Sequence, residues 1–591
     1  MNILNKCILF PLYYAVINCS QMFSTSQLKA MRAASNGFDV RGIVSGSGTD
    51  LLNTPSPVFS CEVAFWFGYG FAKWIESTRK PYGRTLSVVI GRDSRISGPI
   101  LTSWFAGGLH FAGCEVFDSG LCTTPSMYFG CTPNSGLYLD GPWPFDGSVC
   151  ITASHLPSEW NGIKFFDADH PTNIGEDGIS RVIDFVTSFT DHGDKPLIPY
   201  PIPQRKLKLV PNYMQAYSNF LKQTVYSLVE GRLENPLFGL KICVNPGNGA
   251  GGFLAETLKE LGADTSPSIH LDPDGGFPNH IPNPEDKVAI STTANQVLRT
   301  GSDLGICLDT DADRVGIVDG DGRLLNRNGL IALASRIALR GASTASAPEG
   351  RPGVVVTDSA TSNELTDYIT RTLGGRHVRY KKGYRHVIEL ARATPGSVLA
   401  IECSGHGAWR DNGWVDDGCY TAVRALCELV SIRCRAVGGE EQPNLRPPLL
   451  SDLIRDLREP EESVEVRMKM VLQPAGDRAA LVAAAMQCFA DIVASSEGWR
   501  MEPVNHDGLR AQFLIEGKGQ LEGPGSAQSG WCMLRTSLHE PVFSLHIECA
   551  LAGGLQYAAR TLLHGGSGQG GLSTFSSRLD LSALERLAGC S

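Results

Sequence analysis

Three aspartates at alternate positions, with an arginine directly after the last, are the side chains in this sequence best spaced for chemistry. Alternate residues of an extended segment project to the same side, so Asp309, Asp311 and Asp313 could share one divalent cation. Oxygen ligands of this kind suit Mg²⁺, and Arg314 would place a fixed positive charge beside it. A calcium loop is disfavoured because Arg314 stands where an EF-hand has glycine. A solvated acidic turn is the other alternative, and the apolar runs on both sides of the aspartates argue against it.

A serine followed by a histidine is the second candidate for chemistry. Ser154 comes shortly after a predicted buried strand, 147–151, and precedes His155. A serine at such a place could be a nucleophile, but Ser154 does not lie in the G-x-S-x-G turn of α/β hydrolases. Taken alone, a serine in this position is more often a helix cap. Its role therefore depends on which residues surround it.

Short β-rich runs alternate with helix-like stretches from residue 38 to about residue 436, which is typical of α/β domains. Strands predicted at 86–90, 240–244 and 353–357 each belong to a separate α/β unit. Glycines and prolines between 436 and 462 indicate a linker. Beyond it, the predicted order of strand, helix, three strands and helix indicates a distinct α+β domain. The Gly/Ser-rich stretch 565–577 is predicted to be a flexible tail.

The composition is that of a soluble globular enzyme, since 42% of the 591 residues are hydrophobic and 19% are charged. The net charge of −9 disfavours nucleic acid as a partner, and no apolar run reaches the roughly 18 residues of a membrane span. The 17 cysteines are scattered singly, so we expect buried thiols in a reducing compartment. Residues 1–35 could be an organelle transit peptide, a signal segment or a poorly ordered extension.

Seven short motifs relate the aspartates and Ser154 to a known family. They are FDVRG at 38–42, GRDSR at 91–95, TASHLP at 152–157, NGIK at 161–164, FPNHIPNPE at 277–285, ECSGH at 402–406 and DDG at 416–418. With the aspartates they resemble the α-D-phosphohexomutase superfamily, which includes phosphoglucomutases, phosphomannomutases and phosphoglucosamine mutases. The resemblance implies an α/β fold of four domains around a central cleft. After the extension at 1–35, three mixed α/β domains would span 36–205, 206–340 and 341–445, and an α+β domain 460–591.

The resemblance implies an intramolecular phosphotransferase that interconverts the 1- and 6-phosphates of glucose or mannose. The phosphate would pass through phosphoserine at Ser154 and a hexose 1,6-bisphosphate, with Mg²⁺ as cofactor and glucose 1,6-bisphosphate as activator. The implied catalytic residues are Ser154, Lys164, Arg41 and His155, and the metal ligands are Asp309, Asp311 and Asp313. The implied substrate-binding residues are Arg314, Lys381, Glu402, Ser404, His406, Arg535 and Ser537. A small-molecule sugar phosphate is the expected partner, and monomer and dimer both remain open.

The C-terminal phosphate-binding loop departs from the family pattern. Where the family has R-x-S-G-T-E-P, this chain has RTSLHEP at 535–541. Arg535 and Ser537 remain, whereas Leu538 and His539 replace a flexible residue and a hydroxyl donor. The variant resembles a plastid-type plant and algal branch of the superfamily, which leaves a plastid and a cytoplasmic location open. It also leaves open a weakened homologue that only binds sugar phosphates, although the intact Ser154 argues for catalysis.

Several of the implied site residues have ordinary structural alternatives. His155 and His406 could be core histidines with a satisfied hydrogen bond, and Lys164 and Lys381 could be surface lysines. In the sugar-binding loop, members specific for glucosamine usually carry glutamine at the position of Cys403. Phosphoglucosamine mutase is therefore the weaker alternative within the enzyme class.

Overall fold

The computed structural model describes residues 25–35, 39–44, 58–79, 83–132, 144–191, 199–229, 234–325, 327–344, 352–437, 447–472, 477–515, 529–537, 541–566 and 570–590. They form four domains, each built on its own sheet. Three of the domains are mixed α/β and the fourth is α+β, which confirms the predicted fold class. Residues 538–540 of the variant phosphate loop lie outside the described residues.

Domain I is built on a seven-stranded sheet in the order β2-β1-β6-β5-β3-β4-β7. Its elements are α1 (Thr25–Ala34), β1 (Val40–Val44), β2 (Val58–Phe59), α2 (Cys61–Arg79), β3 (Ser87–Arg92), α3 (Gly98–Phe111), β4 (Glu115–Leu121), α4 (Thr124–Phe129), β5 (Gly147–Ile151), β6 (Trp160–Phe166), α5 (Gly175–Asp191) and β7 (Lys208–Leu209). Strand β6 runs antiparallel to β1 and β5, whereas the other pairs are parallel. Strand β5 is buried along its whole length, so the serine loop that follows starts from a rigid position.

Helix α1 belongs to domain I although it lies inside the segment predicted as an N-terminal extension. Met31 and Ala34 are buried in the core of that domain, and Ser35 forms a β-bridge with Val40. Residues 25–35 therefore pack as part of the domain. The rest of the predicted extension lies outside the described residues.

Domain II has a four-stranded sheet in the order β11-β10-β9-β8. Its elements are α6 (Tyr213–Leu228), β8 (Ile242–Asn245), α7 (Phe253–Glu260), α8 (Lys287–Thr300), β9 (Leu304–Leu308), β10 (Val315–Asp319) and β11 (Leu324–Leu325). Strands β9 and β10 pair antiparallel, so residues 309–314 form the turn of a hairpin. Both strands are buried throughout, as their apolar sequences predicted.

Domain III also has a four-stranded sheet, in the order β13-β12-β14-β15. Its elements are α9 (Asn328–Thr344), β12 (Val354–Asp358), α10 (Asn363–Asp367), β13 (Arg376–Tyr380), α11 (Tyr384–Ala393), β14 (Ser397–Ile401), β15 (Gly407–Trp409) and α12 (Gly418–Val437). Residues 402–406 connect the antiparallel pair β14 and β15. An isolated bridge between Arg314 and His406 joins this hairpin to the aspartate turn of domain II.

Domain IV is an antiparallel five-stranded sheet in the order β16-β20-β19-β18-β17. Its elements are β16 (Glu462–Lys469), α13 (Asp477–Ser495), β17 (Trp499–Met501), β18 (Leu509–Leu514), β19 (Ser529–Thr536), β20 (Val542–Cys549), α14 (Gly554–His564) and α15 (Ser582–Ala588). Helix α13 is long and apolar enough to cross a membrane by length and composition. One of its faces, with Leu481, Ala485 and Phe489, is buried in the domain core, as in a core helix of a globular domain.

The prediction of a flexible tail at 565–577 is wrong for the part of it that the structure describes. Leu572 is fully buried in the core of domain IV, and Leu579 and Leu581 extend this packing towards α15. Helix α15 adds Leu584 and Ala588 to the same core. The glycines and serines hid a series of leucines that are too widely spaced to form a recognisable strand or helix pattern.

The apolar cores of the molecule extend over different numbers of domains. One core runs through domains II and III and reaches into domain I, and a second belongs to domain I. The core of domain IV contains residues of domain IV alone. Domain IV is thus a separately packed body beside the other three.

Candidate active site

The loop between β5 and β6 presents Ser154 in a strained conformation. Ser154 has a φ of 51°, in the left-handed region that serine seldom adopts. The residue is buried, with 1% of its surface exposed to solvent. Its main-chain amide donates to Thr152 Oγ1 at 2.9 Å, which stabilises the turn. The Ser154 hydroxyl donates to Asp309 Oδ2 at 3.0 Å and lies 3.2 Å from His155 Nδ1. The serine of domain I therefore meets the first aspartate of domain II directly.

A buried arginine from the loop after β3 holds the serine loop in place. The Arg95 guanidinium donates to four carbonyls of that loop, those of Ser154, Leu156, Pro157 and Trp160, at 2.6–2.9 Å. Its Nε donates to Asp93 Oδ2 at 3.1 Å, and neither side chain is exposed. Asp93 in turn accepts a hydrogen bond from Thr152 Oγ1 at 2.7 Å. A planar, fully charged fork suits this convergence of carbonyls because its donors are fixed in direction.

The three aspartates converge, but not through alternation along a strand. They lie in a turn in which Ala312 has a φ of 59°, and one oxygen of each lies within 4.8 Å of the others. The expectation of an extended segment is therefore corrected, because the chain reverses between β9 and β10 at this point. All three side chains are fully buried, and Oδ1 of Asp311 and of Asp313 has no hydrogen-bond partner among the described residues. Buried carboxylate oxygens without a donor are a donor set that fits a hard divalent cation.

Lys164 and Thr124 of domain I complete the surroundings of the aspartates. Lys164 Nζ donates to Asp311 Oδ2 at 2.8 Å and also to Asp313 Oδ2. The Thr124 hydroxyl donates to Asp311 Oδ2 at 2.5 Å. Lys164 is 2% exposed, so it is not the surface lysine that its sequence left open.

The charges in this cluster shift the acidities of its members in opposite directions. Burial and the neighbouring Asp313 and Asp311 carboxylates raise the pKa of Asp309 well above its usual range. Burial would also raise the pKa of Asp311, but the Lys164 ammonium and the Thr124 hydroxyl lower it overall. The pKa of Lys164 lies well above its usual value because the Asp311 and Asp313 carboxylates outweigh the effect of its burial. The cluster therefore combines an ion pair with one aspartate whose charged form is disfavoured by its surroundings.

Arg41 reaches the site through Asp39. The Arg41 guanidinium donates to Asp39 Oδ2 from Nη2 at 2.6 Å, and Asp39 Oδ1 accepts from Tyr384 Oη at 3.1 Å. The Lys164 ammonium lies 5.8 Å from the centre of the Tyr384 ring. Tyr384 of domain III thus connects the Arg41 pair of domain I with Lys164.

A second polar chain runs from the aspartate turn into domain III. Arg314 Nε donates to His406 Nε2 at 2.8 Å, which places the His406 ring proton on Nδ1, 2.6 Å from Asp416 Oδ2. That short approach does not have the alignment of a hydrogen bond. Tyr384 stacks on His406 with ring centres 4.8 Å apart. His406 is therefore a buried link between two loops.

His155 differs from His406 in its electrostatic setting. Burial, followed by the Arg314 and Arg41 cations, lowers the pKa of His155 well below its usual value. The ring is therefore neutral near pH 7, and Nδ1 can accept a proton from the Ser154 hydroxyl. Two acceptors, His155 and Asp309, thus flank one serine.

Glu402 directly follows β14, and its main-chain amide donates to the His406 carbonyl at 3.0 Å. Its Oε1 accepts the Gly383 amide at 2.6 Å and its Oε2 accepts the Ser404 hydroxyl at 3.2 Å. Burial and the Asp358 carboxylate raise the pKa of Glu402 to about 7. A carboxylate balanced between its two protonation states at a buried strand end is typical of a functional group.

Three of the predicted substrate-binding residues lie apart from the serine and the aspartates. Lys381 Nζ lies 5.8 Å from the centre of the Tyr380 ring. In domain IV, Arg535 Nη2 pairs with Glu465 Oε1 at 3.4 Å, and the Ser537 amide donates to the Val542 carbonyl at 2.9 Å. None of the three has a described contact with Ser154 or the aspartates. The other predicted site residues belong to one connected network.

Sequence reasoning missed several residues that the structure places in this network. Arg95 and Asp93 lie in the motif GRDSR, which was noticed only as a family signature. Thr124, Tyr384 and Asp416 contact the site from three other segments. The adjacent pair at 416–417 followed by glycine gave a signal for Asp416, whereas Thr124 and Tyr384 have none.

Comparison with known proteins agrees with this arrangement. The chain matches three models of one family, described as phosphoglucomutase/phosphomannomutase, alpha/beta/alpha domains I, II and III, over residues 36–188, 213–322 and 329–435. A phosphomannomutase/phosphoglucomutase of Pseudomonas putida is 30% identical over 67% of this chain and 73% of its own length. That of Pseudomonas syringae pv. tomato is 29% identical over 73% and 78%. A phosphomannomutase of Escherichia coli K12 is 28% identical over 65% and 79%.

Two solved structures share the fold. A phosphoglucomutase/phosphomannomutase family protein from Burkholderia thailandensis superposes with a TM-score of 0.63 at 23% identity, covering 90% of this chain and 97% of its own. The phosphoglucomutase pp63/parafusin from Paramecium, in an open form, gives 0.60 at 16%, covering 90% and 91%. At these identities the likeness concerns the fold.

Proposed function

This chain belongs to the phosphoglucomutase/phosphomannomutase family and is a hexose-phosphate mutase, and we propose that it interconverts the 1- and 6-phosphates of glucose or mannose through a phosphate on Ser154. One observation carries the assignment of the serine. The hydroxyl of a strained, buried serine lies 3.0 Å from an aspartate oxygen, at the edge of three converging carboxylates. A serine that only capped a helix would not need these neighbours.

The proposed reaction transfers the phosphoryl group twice. In the first half, the bond between phosphorus and Ser154 Oγ breaks as the free hydroxyl of a hexose monophosphate forms a new bond to that phosphorus and gives up its proton. The product is a hexose 1,6-bisphosphate and an unmodified serine. In the second half, Ser154 Oγ attacks the other phosphate and its proton leaves, so the isomeric monophosphate is released. The sugar must turn over between the two halves because each of its ends meets the same serine.

Residues of domain I would move the protons. His155 is neutral and 3.2 Å from the Ser154 hydroxyl, so its Nδ1 can take the serine proton in the second half. Lys164 is a buried cation in contact with two of the aspartates, and Arg41 is a partly exposed cation paired with Asp39. Both would stabilise phosphoryl oxygens and transfer a proton to or from the sugar hydroxyl. Glucose 1,6-bisphosphate would act as activator, because it is the compound that can place the first phosphate on Ser154.

Asp309, Asp311 and Asp313 would hold Mg²⁺. When bound, the ion would neutralise charge on the transferring phosphoryl group. The fit rests on the two buried aspartate oxygens without a donor and on the raised pKa of Asp309. Lys164 already contacts two of the three aspartates, so it would share with the cation the task of balancing their charge.

The substrate would be held from two sides. Glu402, Ser404 and His406 of domain III would contact sugar hydroxyls, because a carboxylate can accept from both hydroxyls of a vicinal diol. Arg535 and Ser537 of domain IV, with Arg314 and Lys381, would bind the phosphate that is not reacting, for which a guanidinium is well shaped. Because the site with Ser154 and the one with Arg535 belong to different domains, we propose that domain IV closes over the sugar phosphate.

The decisive experiment combines a substrate panel with mass spectrometry. Purified protein with Mg²⁺ and a trace of glucose 1,6-bisphosphate is given glucose, mannose or glucosamine 1-phosphate in turn, and 6-phosphate formation is followed. Turnover of glucose or mannose 1-phosphate, with one phosphate on Ser154, is expected. Turnover of glucosamine 1-phosphate alone would contradict the proposed substrate. Absence of both turnover and modification would overturn the proposed reaction.

Two serine variants separate the proposed role from a general effect of mutation. Ser154→Ala should lose turnover by at least about 10³-fold and carry no phosphate, while its melting temperature stays near that of the wild type. Ser94→Ala is the matched control, because the Ser94 hydroxyl is buried in a neighbouring loop of domain I and has no hydrogen-bond partner among the described residues. It should keep both the activity and the phosphate.

A further inference from the structure

Two consecutive main-chain amides hold carboxylates from two different domains. The Lys382 amide donates to Asp507 Oδ2 of domain IV at 2.8 Å, and the next amide, of Gly383, donates to Glu402 Oε1 of domain III at 2.6 Å. Gly383 has a φ of 124°, a conformation that side chains other than glycine rarely adopt. The 382–383 segment is thus a short bridge between a domain IV carboxylate and the candidate sugar-binding carboxylate.

Asp507 is itself fixed against domain III. The same Oδ2 accepts the Ser359 hydroxyl at 3.1 Å, and three residues later Arg510 donates to the Ser359 carbonyl at 3.0 Å. The Arg510 guanidinium also donates to Asn363 Oδ1 at 3.0 Å and lies 3.5 Å from the centre of the Trp531 ring. These contacts are polar and lie outside the core of domain IV, which is confined to that domain.

Among the described residues of domain IV, Asp507 is the one whose side chain accepts a hydrogen bond from the 382–383 main chain. Asp507 Oδ1 is buried and has no hydrogen-bond partner among the described residues, so one oxygen carries both contacts to domain III. If domain IV moves, the Lys382 amide loses its acceptor. The neighbouring Gly383 amide, which holds Glu402, then loses the restraint on its own position.

We infer that Asp507 is a positioning residue that couples the placement of domain IV to the orientation of Glu402, and through it to recognition of the sugar hydroxyls. This inference rests on the proposed role of Glu402. Phosphate binding by Arg535 in domain IV and hydroxyl binding by Glu402 in domain III would then reinforce each other. A substrate that occupies both sites would order the 382–383 segment once, so the free-energy cost of that ordering would be shared by the two binding interactions.

The test measures hydroxyl discrimination rather than activity alone. For the wild type, Asp507→Ala and Glu402→Gln, kcat/KM is measured for glucose 1-phosphate and for its mono-deoxy analogues, one position at a time. Glu402→Gln identifies the hydroxyl positions that Glu402 contacts, because the ratio of kcat/KM between glucose 1-phosphate and the deoxy analogue should become smaller at those positions. Asp507→Ala should shrink discrimination at the same positions roughly tenfold, while the poor analogues lose little further activity. An equal loss on every substrate would mean a merely structural role and would overturn the inference.

Hydrogen exchange gives a second readout without turnover. The peptide that contains the Gly383 amide should exchange at least about tenfold faster in Asp507→Ala than in the wild type. Unchanged exchange would overturn the coupling. Asp491→Ala, which removes an exposed carboxylate of α13 in the same domain, is the control and should alter neither measurement. If Asp507→Ala does not fold, Asp507→Leu fills the space without an acceptor and takes its place.

The two proposals fail in different ways. If Glu402→Gln changes discrimination at no position, the role of Glu402 is refuted, and the coupling with it. If Glu402→Gln shrinks discrimination but Asp507→Ala does not, the coupling alone is refuted and the proposed function stands.

Discussion

Replacing Lys164 by methionine should destabilise the metal-free protein by about 3–5 kcal/mol. The Lys164 ammonium is 2% exposed and contacts two fully buried carboxylates, those of Asp311 and Asp313. Removing one partner of a buried ion pair leaves an uncompensated buried charge, and losses of this size are typical. Methionine keeps the length of the side chain, so the loss would come from the charge and not from an empty volume. Because one ammonium balances two carboxylates, the upper half of the range is expected.

The assay is urea unfolding of the wild type and Lys164→Met in the presence of EDTA, followed by tryptophan fluorescence. Lys73→Met is the matched control, since Lys73 pairs with Glu76 at 2.9 Å on the surface of the same domain. An exposed pair is worth at most about 1 kcal/mol. Added Mg²⁺ should stabilise Lys164→Met more than the wild type, because the cation would balance the carboxylates that have lost their ammonium.

A loss in EDTA no larger than that of Lys73→Met would refute the reasoning. It would mean that the Asp311 and Asp313 carboxylates take up protons at little cost when Lys164 is absent. Equal stabilisation of both proteins by Mg²⁺ would refute the second step, in which the cation and the ammonium balance the same charges.

Three further predictions concern other parts of the molecule. Burial and Asp358 raise the pKa of Glu402 from 4.5 to about 7. The free energy of unfolding should therefore be highest below pH 4.5, where Glu402 is protonated in both the folded and the unfolded chain. It should fall by about 3 kcal/mol as the pH rises from 4.5 through 7. Glu402→Gln should lack this loss in urea unfolding at each pH, and equal slopes in both proteins would contradict it. Arg95→Lys keeps the charge but cannot reach four carbonyls, so it should lower stability by about 2–3 kcal/mol and slow phosphorylation of Ser154 by glucose 1,6-bisphosphate, as mass spectrometry would show. Arg92→Lys should do neither, because Arg92 is partly exposed and makes a single ion pair, with Asp118 at 3.3 Å, that lysine can also make. Met31→Ala should cost about 2–4 kcal/mol in thermal unfolding because Met31 is buried in domain I, whereas Lys29→Ala on the exposed side of α1 should cost under about 0.5 kcal/mol.

Parts of the fold follow from local pattern because burial leaves a trace in the sequence. Strand β5 occupies the predicted range 147–151, since Val149, Cys150 and Ile151 give it the apolar character expected of a strand that is buried on both sides. Strands β9 and β10 were predicted for the same reason, and they place the aspartates between them. Residue type and spacing also marked the aspartates and Ser154 as candidates, and the structure places them in contact.

Other features were out of reach because they depend on contacts between distant segments. Arg95 holds carbonyls about sixty residues away, and such main-chain acceptors leave no mark on the identity of the residues that carry them. Asp507 meets the Lys382 amide across a domain boundary in the same way. The buried leucines after residue 570 were hidden by glycines and serines, which were wrongly taken to indicate a tail.

The left-handed backbone at Ser154 also limits which amino acids can occupy this position. Serine and threonine both offer a hydroxyl that can carry a phosphate, and their chemistry would be interchangeable here. A β-branched side chain is strongly disfavoured at a φ of 51°, because its second heavy atom on Cβ meets the main chain. The shape of the loop thus rejects threonine although the reaction would accept it. At this residue the choice between two amino acids of equivalent chemistry is decided by a backbone torsion angle.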